Sequence, residues 1–227
     1  MSEQVKEMFS EISGKYDLLN DILSFGVHFL WRRKLLQLIN IKDDSKILDC
    51  ACGTGLMAIE MAKHAKAVTG TDFCPEMIDI AKRNSENKHL PLNFDVADAM
   101  NLPFEDNTFD ITTIAYGIRN VDSAEKCLIE MARVSKPNGT VAVLEFGQPN
   151  GLIAPFYRFY SSKIMPQIGK VFASSQSAYT YLPETAAKFP CGQKFKDIIT
   201  ATGKYSSSEF YRLNSGIAYI YLGKVKE

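Results

Sequence analysis

The chain has 227 residues, of which 46% are hydrophobic, a fraction that is ordinary for a globular protein. This length suits one large α/β domain and leaves no room for two full ones. Lysine and arginine number 26, and aspartate and glutamate also number 26, so the balanced charge argues against nucleic acid as the main partner. Neither an apolar run of about 18 residues nor a signal-peptide pattern occurs, and we therefore expect a cytoplasmic protein.

The five cysteines are an odd number and lack paired C-x-x-C spacing. We therefore expect reduced thiols, no disulfide framework and no metal site. Cys50 and Cys52 flank a predicted tight turn, where small residues serve packing more often than chemistry.

The N-terminal segment, residues 5–40, shows helical patterns with a short break at residues 24–26. It has no glycine-rich linker to the first predicted strand, so we expect it to pack on the sheet domain.

Residues 47–55 carry the most informative pattern: an apolar run, a turn of small residues and the start of a helix. Such an order predicts a parallel strand and a loop whose free N–H groups face a nucleotide-like ligand. Gly53 and Gly55 would let the backbone turn sharply and lie against that ligand. Ala51 occupies the place of a third glycine, and we therefore expect no positive φ there.

The absence of phosphate-binding patterns narrows the identity of this ligand. No Lys-Ser or Lys-Thr comes after the glycines, and G-x-G-x-x-G spacing is absent. The second predicted strand, residues 65–71, ends at Asp72, where a carboxylate can accept hydrogen bonds from both ribose hydroxyls. Alternatively, Asp72 caps the helix predicted over residues 75–84, which has Pro75 near its first position.

A third predicted strand is followed by Asp98, which we expect to accept a hydrogen bond from an adenine amino group. Asp95 is the competing acid. Phe73 and Met100 would provide apolar faces for the ring, and Ala99 lies in the same loop. Ribose and adenine without phosphate describe S-adenosylmethionine.

Two residues near the glycines would then meet the methionine end of that molecule. Asp49 would orient the loop or contact the ammonium, and its alternative role is to cap the turn. Thr54 would bond the carboxylate, and its alternative role is to cap the helix that begins at Leu56. The predicted cofactor-binding set is Asp49, Gly53, Thr54, Gly55, Asp72, Phe73, Asp98 and Ala99.

The fourth predicted strand, residues 110–114, leads into the loop 116–120. Ligands of open α/β sheets bind beyond the carboxyl ends of the strands, so this loop should face a methyl acceptor. Arg119 would hold a phenolate oxygen by charge-assisted hydrogen bonds, since a guanidinium stays protonated and is a poor base. Its alternative is a structural ion pair with Asp122 or Glu145.

A helix over residues 123–135, capped by Asp122 or Ser123, should end before a turn at residues 137–139. A buried strand over residues 141–146 comes next. Late strands near residues 205–211 and 217–222 predict an antiparallel hairpin that closes the sheet edge.

Between these elements, residues 149–190 are rich in aromatics, serines and prolines. Periodicity favours an ordinary helical lid. The basic residues Arg158, Lys163 and Lys170, interleaved with aromatics, also suit contact with an anionic membrane.

The sequence resembles the ubiquinone/menaquinone biosynthesis C-methyltransferase family, a group of class I S-adenosylmethionine-dependent methyltransferases. The resemblance spans residues 9–223, and its carrying blocks are YDLLNDILSFGVHFLW (16–31), YGIRNV (116–121), RVSKPNG (133–139) and LEF (144–146). Leu19, Asn138 and Gly147 depart from the family pattern of Met, Gly and Ser. Asparagine tolerates the left-handed conformation, so the turn at Asn138 should survive.

The resemblance implies a Rossmann-like, doubly wound α/β fold. Its seven-stranded sheet is mostly parallel with an antiparallel C-terminal hairpin, and N-terminal helices and a helical lid insertion are added to it. We divide the single domain into an N-terminal helical segment, a cofactor-binding core, a substrate lid and closing strands, at residues 1–44, 45–147, 148–203 and 204–227.

The implied activity is C-methylation of a prenylated quinol in menaquinone or ubiquinone biosynthesis, with S-adenosylmethionine as donor and no metal. Conversion of demethylmenaquinol to menaquinol is favoured, and a benzoquinol acceptor is the alternative. Arg119 would stabilise the phenolate, and Tyr16 and Asn120 would complete its hydrogen bonds. Asn20 and His28 are further polar candidates, and His28 is either a packing residue or a path for the ring proton. Peripheral contact with the inner face of the cytoplasmic membrane is implied, and a homodimer is left open.

Two alternatives would share every cofactor residue: an O-methyltransferase acting on a small phenol, and a non-catalytic S-adenosylmethionine-binding protein. A nucleic-acid methyltransferase is disfavoured, because the loop 116–120 lacks the Asn/Asp-Pro-Pro-aromatic pattern that holds a flipped base.

Overall fold

A computed structural model describes residues 10, 17, 21, 24–86, 88–164, 167 and 185–227. The strands are β1 (Lys46–Cys50), β2 (Ala67–Asp72), β3 (Leu92–Val96), β4 (Phe109–Ala115), β5 (Ser135–Phe146), β6 (Tyr205–Leu213) and β7 (Ala218–Val225). The α-helices are α1 (Val27–Ile39), α2 (Leu56–Met61), α3 (Pro75–Ser85), α4 (Ala124–Val134), α5 (Ala154–Phe159) and α6 (Gln193–Ala201). Short 3₁₀ turns cover Ile118–Asn120, Gly151–Ile153 and Asn214–Gly216, and a π-helical turn covers Tyr160–Ile164.

The strands form one sheet in the order β3-β2-β1-β4-β5-β7-β6. The first five run parallel, whereas β7 pairs antiparallel with both β5 and β6. The chain winds outward from β1 to β3 and then restarts at β4, so the strand order reverses between β1 and β4. Because ligands of open α/β sheets bind at such a reversal, the carboxyl ends of β1 and β4 define where a site belongs. The predicted doubly wound fold with its antiparallel hairpin is confirmed.

Hydrophobic side chains cover both faces of this sheet. Successive side chains of β1 point to opposite faces of the sheet, as in any strand. Ile47 belongs to the hydrophobic cluster that contains Leu35 and Met61, whereas Leu48 belongs to the cluster that contains Leu128. The N-terminal helix α1 lies on the sheet domain through residues that include Leu35, as expected for a segment with no linker.

The boundaries around α4 and β5 differ from expectation in one respect. Ser123 caps α4 by accepting a hydrogen bond from the Lys126 N–H at 3.2 Å, and β5 begins at Ser135 instead of near residue 141. Ser135 already pairs with Phe109, and a register shift occurs before the ladder resumes. The turn predicted at residues 137–139 corresponds to this register shift in β5. Asn138 has a φ of 60° there, as expected for an asparagine in place of glycine.

Within the described part of the chain, no helix combines the length and the apolar character that crossing a bilayer requires.

Candidate active site

Two neighbouring cavities lie beyond the carboxyl ends of β1 and β4. The larger has a volume of about 420 Å³ and the smaller about 60 Å³. Both are lined by Ala51, Gly53, Ala115 and Tyr116. The loop after β1 and the end of β4 therefore form a common wall, so one ligand can reach from one cavity into the other.

The loop after β1 turns through three residues with positive φ: Ala51 at 48°, Gly53 at 55° and Gly55 at 80°. The expectation for Ala51 was wrong. Its methyl group is accommodated because Gly117 lies opposite, where an added Cβ would come within 2.6 Å of the Ala51 Cβ. An L-residue in this conformation costs about 1–2 kcal/mol, which the surrounding loop offsets.

The two predicted loop glycines differ in what they face. Gly53 lines both cavities, whereas Gly55 lines neither. A Cβ on Gly55 would lie 2.6 Å from the Phe94 ring and 2.9 Å from Ala81. Gly55 is therefore required because α3 and β3 pack closely against the loop, and it does not line the predicted ligand site.

Asp72 lies at the end of β2 on the wall of the smaller cavity. Its two carboxylate oxygens accept hydrogen bonds from the Gly53 N–H and the Cys74 N–H, both at 2.9 Å. It thus holds the glycine loop and the start of α3 together, which is close to the alternative role considered for it, and ribose binding stays a prediction. Burial raises the pKa of Asp72 above its usual range. Each oxygen retains acceptor capacity, since a carboxylate has about four lone-pair sites.

The remaining predicted adenine contacts are also on the smaller cavity. Phe73, Asp98 and Ala99 line it, and the Asp98 Oδ1 accepts the Met100 N–H at 2.9 Å. Met77 takes the lining position that was expected for Met100.

Asp95, the alternative to Asp98, and Asn120, a predicted catalytic residue, both lie outside the larger cavity. Asp95 is exposed and does not line either cavity. Asn120 lines the smaller cavity, and its Nδ2 lies 3.4 Å from the Tyr116 carbonyl oxygen. The structure therefore brings Asn120 to the predicted nucleoside side and does not bring it to the larger cavity.

Asp49 lines the larger cavity from the end of β1. Only 1% of it is exposed, and its Oδ1 accepts a 2.6 Å hydrogen bond from the Thr113 hydroxyl. Its Oδ2 is buried and has no hydrogen-bond partner among the described residues. Burial is the main cause that raises the pKa of Asp49 to about 7. Sequence analysis did not identify Thr113, because nothing in the surrounding residues distinguishes it from any other threonine in a strand.

Thr54 also lines the larger cavity, but its partner is unexpected. Its hydroxyl donates a 2.8 Å hydrogen bond to the Asp17 Oδ1, and it makes no capping bond to α2. Thr54 thus ties the cofactor loop to the N-terminal segment. Asp17 belongs to the block that carries the family resemblance, which was its only signal in the sequence.

Arg119 has a buried side chain that forms the ion pair with Glu145 that was considered as its alternative. Nη1 lies 2.6 Å from the Glu145 Oε1 and 2.6 Å from the Tyr116 carbonyl oxygen. The guanidinium lies 5.2 Å from the centre of the Phe146 ring. Its Nε is buried without a hydrogen-bond partner among the described residues, and Arg119 lines the larger cavity.

Tyr116 is a functional candidate that the sequence did not single out by itself. It has a φ of 58°, rare for an aromatic residue, and its ring lies 4.7 Å from that of Phe146. Its N–H donates to the Leu144 carbonyl oxygen at 2.7 Å. Strained backbone of this kind clusters at functional sites, and Tyr116 stands between the two cavities.

The rest of the larger cavity is built by distant parts of the chain. The Trp31 Nε1 donates to the Asn214 Oδ1 at 2.7 Å, which joins α1 to the turn before β7. Tyr16 and Asn20 lie outside the described residues, and so do Lys170 and the end of the aromatic segment. The aromatic residues that line this cavity are Phe25, Trp31, Tyr116, Phe146, Phe156, Tyr157 and Tyr160.

Comparisons with known proteins identify the family and the relatives of this chain. A profile of the ubiE/COQ5 methyltransferase family matches residues 1–225. The ubiquinone/menaquinone biosynthesis C-methyltransferase UbiE of Bdellovibrio bacteriovorus is 45% identical over 227 residues, 99% of this chain and 97% of that protein. A demethylmenaquinone methyltransferase of Thermus thermophilus is 42% identical over 219 residues, 95% of this chain and 99% of that protein.

Among solved structures, a SAM-dependent methyltransferase from Thermotoga maritima has a similar fold, with a TM-score of 0.70 at 17% identity. The alignment covers 97% of this chain and 99% of that one. Sequence profile, relatives and fold point the same way: the chain belongs to the ubiE/COQ5 methyltransferase family.

Proposed function

We propose that this protein methylates a ring carbon of a prenylated quinol, converting demethylmenaquinol to menaquinol, with S-adenosylmethionine as the methyl donor. Family membership and the names of its relatives support the reaction. One structural observation carries the choice of acceptor. An aromatic-lined cavity of about 420 Å³, within the size range of small-molecule sites, adjoins the cofactor loop.

The donor set on this chain fits S-adenosylmethionine. The unpaired Asp49 Oδ2 is a buried carboxylate oxygen that suits an ammonium group. Asp72 offers carboxylate oxygens at a strand end for a ribose. Gly53 lines the same cavity and has no side chain that would fill this space. When bound there, S-adenosylmethionine supplies an electrophilic methyl group.

The chain's own residues would prepare the acceptor. An aromatic carbon becomes a good nucleophile when a neighbouring hydroxyl loses its proton, and a phenol has a solution pKa of about 10. The buried Arg119 guanidinium favours the phenolate form, and we assign its Nε, which has no hydrogen-bond partner among the described residues, as a donor to the phenolate oxygen. Glu145 orients that guanidinium. Tyr16 would complete the hydrogen bonds to the phenolate, whereas Asn120 would contact the nucleoside part of the cofactor.

The aromatic wall contributes by excluding water. A phenolate and a sulfonium lose charge as they approach each other, so the transition state needs less solvation than the reactants. An apolar cavity therefore favours the reaction. Tyr116 and Phe146 hold the acceptor next to the common wall, which aligns the reacting atoms.

Product analysis tests this proposal. The protein is incubated with S-adenosylmethionine and, separately, with reduced demethylmenaquinone and its benzoquinol counterpart, and products are identified by mass spectrometry and NMR. We expect a new methyl group on a ring carbon together with S-adenosylhomocysteine. A methyl ether would identify an O-methyltransferase, and cofactor binding without any methylated product would identify a binding protein.

We also propose that the enzyme meets its acceptor at an anionic membrane surface. Two segments, residues 24–42 and 146–164, contain no carboxylate, and they touch where the Phe25 and Tyr160 rings lie 5.6 Å apart. Together we call them the basic-apolar face. Its exposed apolar residues are Phe25, Phe29, Leu30, Ile153, Phe156, Phe159 and Ile164, and its basic residues are Arg32, Arg33, Lys34, Lys42, Arg158 and Lys163.

This face lies at the entrance to the larger cavity, because Phe25, Ile153 and Phe156 are both exposed and part of its lining. Apolar side chains interleaved with cations match the headgroup region of an anionic bilayer. A prenylated quinol could then enter the cavity directly from the lipid.

A further inference from the structure

A chain of three polar side chains runs along the wall of the larger cavity. Ser24 and His28 both line that cavity, and the Ser24 Oγ lies 2.5 Å from the His28 Nδ1. On the other side of the ring, the His28 Nε2 lies 3.2 Å from the Asp21 Oδ1. A turn at Phe25 and Gly26, where φ is 49° and 72°, precedes α1 and brings Ser24 beside His28.

His28 is the most buried of these three groups, and Ser24 and Asp21 are partly exposed. The His28 side chain is 5% exposed, whereas that of Asp21 is 43% exposed. One end of the chain therefore faces the acceptor cavity and the other end faces water. The His28 Nε2 lies within ion-pair distance of Asp21 and has no hydrogen-bond partner among the described residues.

The protonation of His28 suits transfer in this direction. Burial is the main cause that lowers the pKa of His28 to about 4, Arg32 acts in the same direction, and Asp21 opposes both. The imidazole is therefore neutral near pH 7, with one nitrogen as donor and the other as acceptor. With the Ser24 hydroxyl donating to Nδ1, the ring proton is on Nε2 and faces Asp21.

The other charged groups on this cavity are Arg32, which lies over the Phe29 ring, and Asp17, Asp49 and Arg119. Arg119 is paired with Glu145 of β5, Asp17 accepts the Thr54 hydroxyl, and Asp49 of β1 faces the donor loop. His28 lines the cavity and also contacts the Asp21 carboxylate, whose side chain is 43% exposed. The quinol reaction releases one proton per turnover, which needs a way out of a water-poor cavity.

We infer that Ser24, His28 and Asp21 form a proton relay that carries this proton from the acceptor hydroxyl to solvent. The inference rests on the proposed function. The acceptor O–H bond breaks and its electron pair stays on oxygen, while the proton passes to the Ser24 Oγ. Ser24 gives its own proton to the His28 Nδ1, the Nε2 proton passes to Asp21, and Asp21 releases it to water.

The remaining bond changes of the methyl transfer need no oxidant or reductant. The ring carbon forms its bond to the methyl group, and the bond from methyl to sulfur breaks with its electron pair left on sulfur. The ring carbon then loses its proton, whose bonding pair restores the aromatic ring, and the ring oxygen is reprotonated. One proton leaves the site in total. The His28 ring then carries its proton on Nδ1, and proton exchange with water returns it to Nε2 before the next turnover.

The test replaces His28 by asparagine, which keeps a polar atom near Ser24 but has no second nitrogen to pass a proton. We expect H28N to lower kcat by about 10²-fold near pH 7, with the affinity for S-adenosylmethionine unchanged within about twofold. The remaining rate should rise with pH between about 7 and 9, as hydroxide replaces the relay, and added imidazole should restore part of it. The matched control is His64→Asn, an exposed histidine away from this cavity.

Ser24→Ala is the second variant, because it removes only a hydroxyl and is expected to fold even if H28N does not. We expect it to lower kcat about tenfold with the same change in pH profile. A fall in kcat with an unchanged pH profile and no rescue by imidazole would mean a structural role only, and would overturn the relay. Wild-type turnover is measured in the same assay: if it yields no C-methylated quinol, the proposed function fails and not the relay alone.

Discussion

At the scale of single residues, the site depends on buried carboxylates whose neighbours leave them partly unsatisfied. Asp72 accepts two backbone N–H groups and keeps capacity for a ribose. Asp49 has one oxygen bonded to Thr113 and one without a partner among the described residues. An ionised carboxylate with an unpaired oxygen is costly in an apolar setting, so this residue is stable as an anion when a cation lies beside it.

We predict that cofactor affinity depends on pH through Asp49. Its pKa of about 7 means that the carboxylate is formed as pH rises from 6 to 8, and the ammonium of S-adenosylmethionine favours that form. Binding should therefore tighten with rising pH, by up to about tenfold per unit below pH 7. Asp49→Asn should bind more weakly and show a flat pH profile by calorimetry.

The control for this experiment is Asp95→Asn, which changes an exposed acid of β3. Without ligand, the raised pKa has a second consequence. The folded protein binds a proton that the unfolded chain has released, so wild-type stability should fall as pH rises from about 4 to about 7, and D49N should lack this part of the dependence. A parallel pH dependence in D49N and wild type would exclude Asp49 from both effects.

At the scale of elements, the loop between β4 and α4 is held by one buried ion pair. Glu145 of β5 contacts the Arg119 guanidinium at 2.6 Å, accepts the Arg119 N–H at 3.3 Å and accepts the Phe146 N–H at 2.7 Å. Arg119 in turn donates to the carbonyl oxygen of Tyr116, which has the positive φ. A strained backbone between two cavities is thus fixed by a neighbouring strand.

Glu145→Gln should therefore destabilise the protein strongly, because it leaves the buried guanidinium without its counter-charge. We expect a loss of about 3–5 kcal/mol in the free energy of unfolding, measured with urea. Glu125→Gln, on the exposed side of α4, is the matched control and should change it by no more than about 0.5 kcal/mol. An equal, small effect of both substitutions would show that the ion pair does not hold the loop.

At the scale of the whole molecule, the entrance of the larger cavity and the basic-apolar face coincide. Leu30 and Phe159 are 65% and 62% exposed on this face, although large apolar side chains are usually buried. Six cations lie in the same two segments without a carboxylate among them. Charge and apolar surface on one face are the combination that binds anionic bilayers.

We predict that Leu30→Ser with Phe159→Ser weakens binding to phosphatidylglycerol vesicles in a flotation assay, because two side chains leave the interface. Neither residue lines the cavity, so methylation of a short-tailed, water-soluble quinol should be retained. Arg158→Gln with Lys163→Gln should weaken the same binding by about 1 kcal/mol per charge, and raised salt should mask the difference.

Val96→Ser is the control, since it changes a side chain of β3 that is 52% exposed and lies outside this face. Vesicle binding that is identical for wild type and all the variants would leave the aromatic segment as an ordinary lid.

The sequence alone determined the order of strands and helices and the position of the cofactor loop. These are local matters: apolar runs, glycines and a proline fix strands, turns and helix starts over a few residues. Asp72 and Asp98, which the sequence predicted to bind one ligand, line the same cavity, because the carboxyl ends of parallel strands share an edge.

Tertiary structure decided what depends on partners far apart in the chain. Ala51 has a positive φ because Gly117 is opposite, Gly55 is needed because of Phe94, and Arg119 is bound to Glu145. Each of these contacts spans 26 or more residues, for example the separation of 26 between Arg119 and Glu145. Local patterns do not encode such contacts, because packing brings the two residues together only after the sheet has formed.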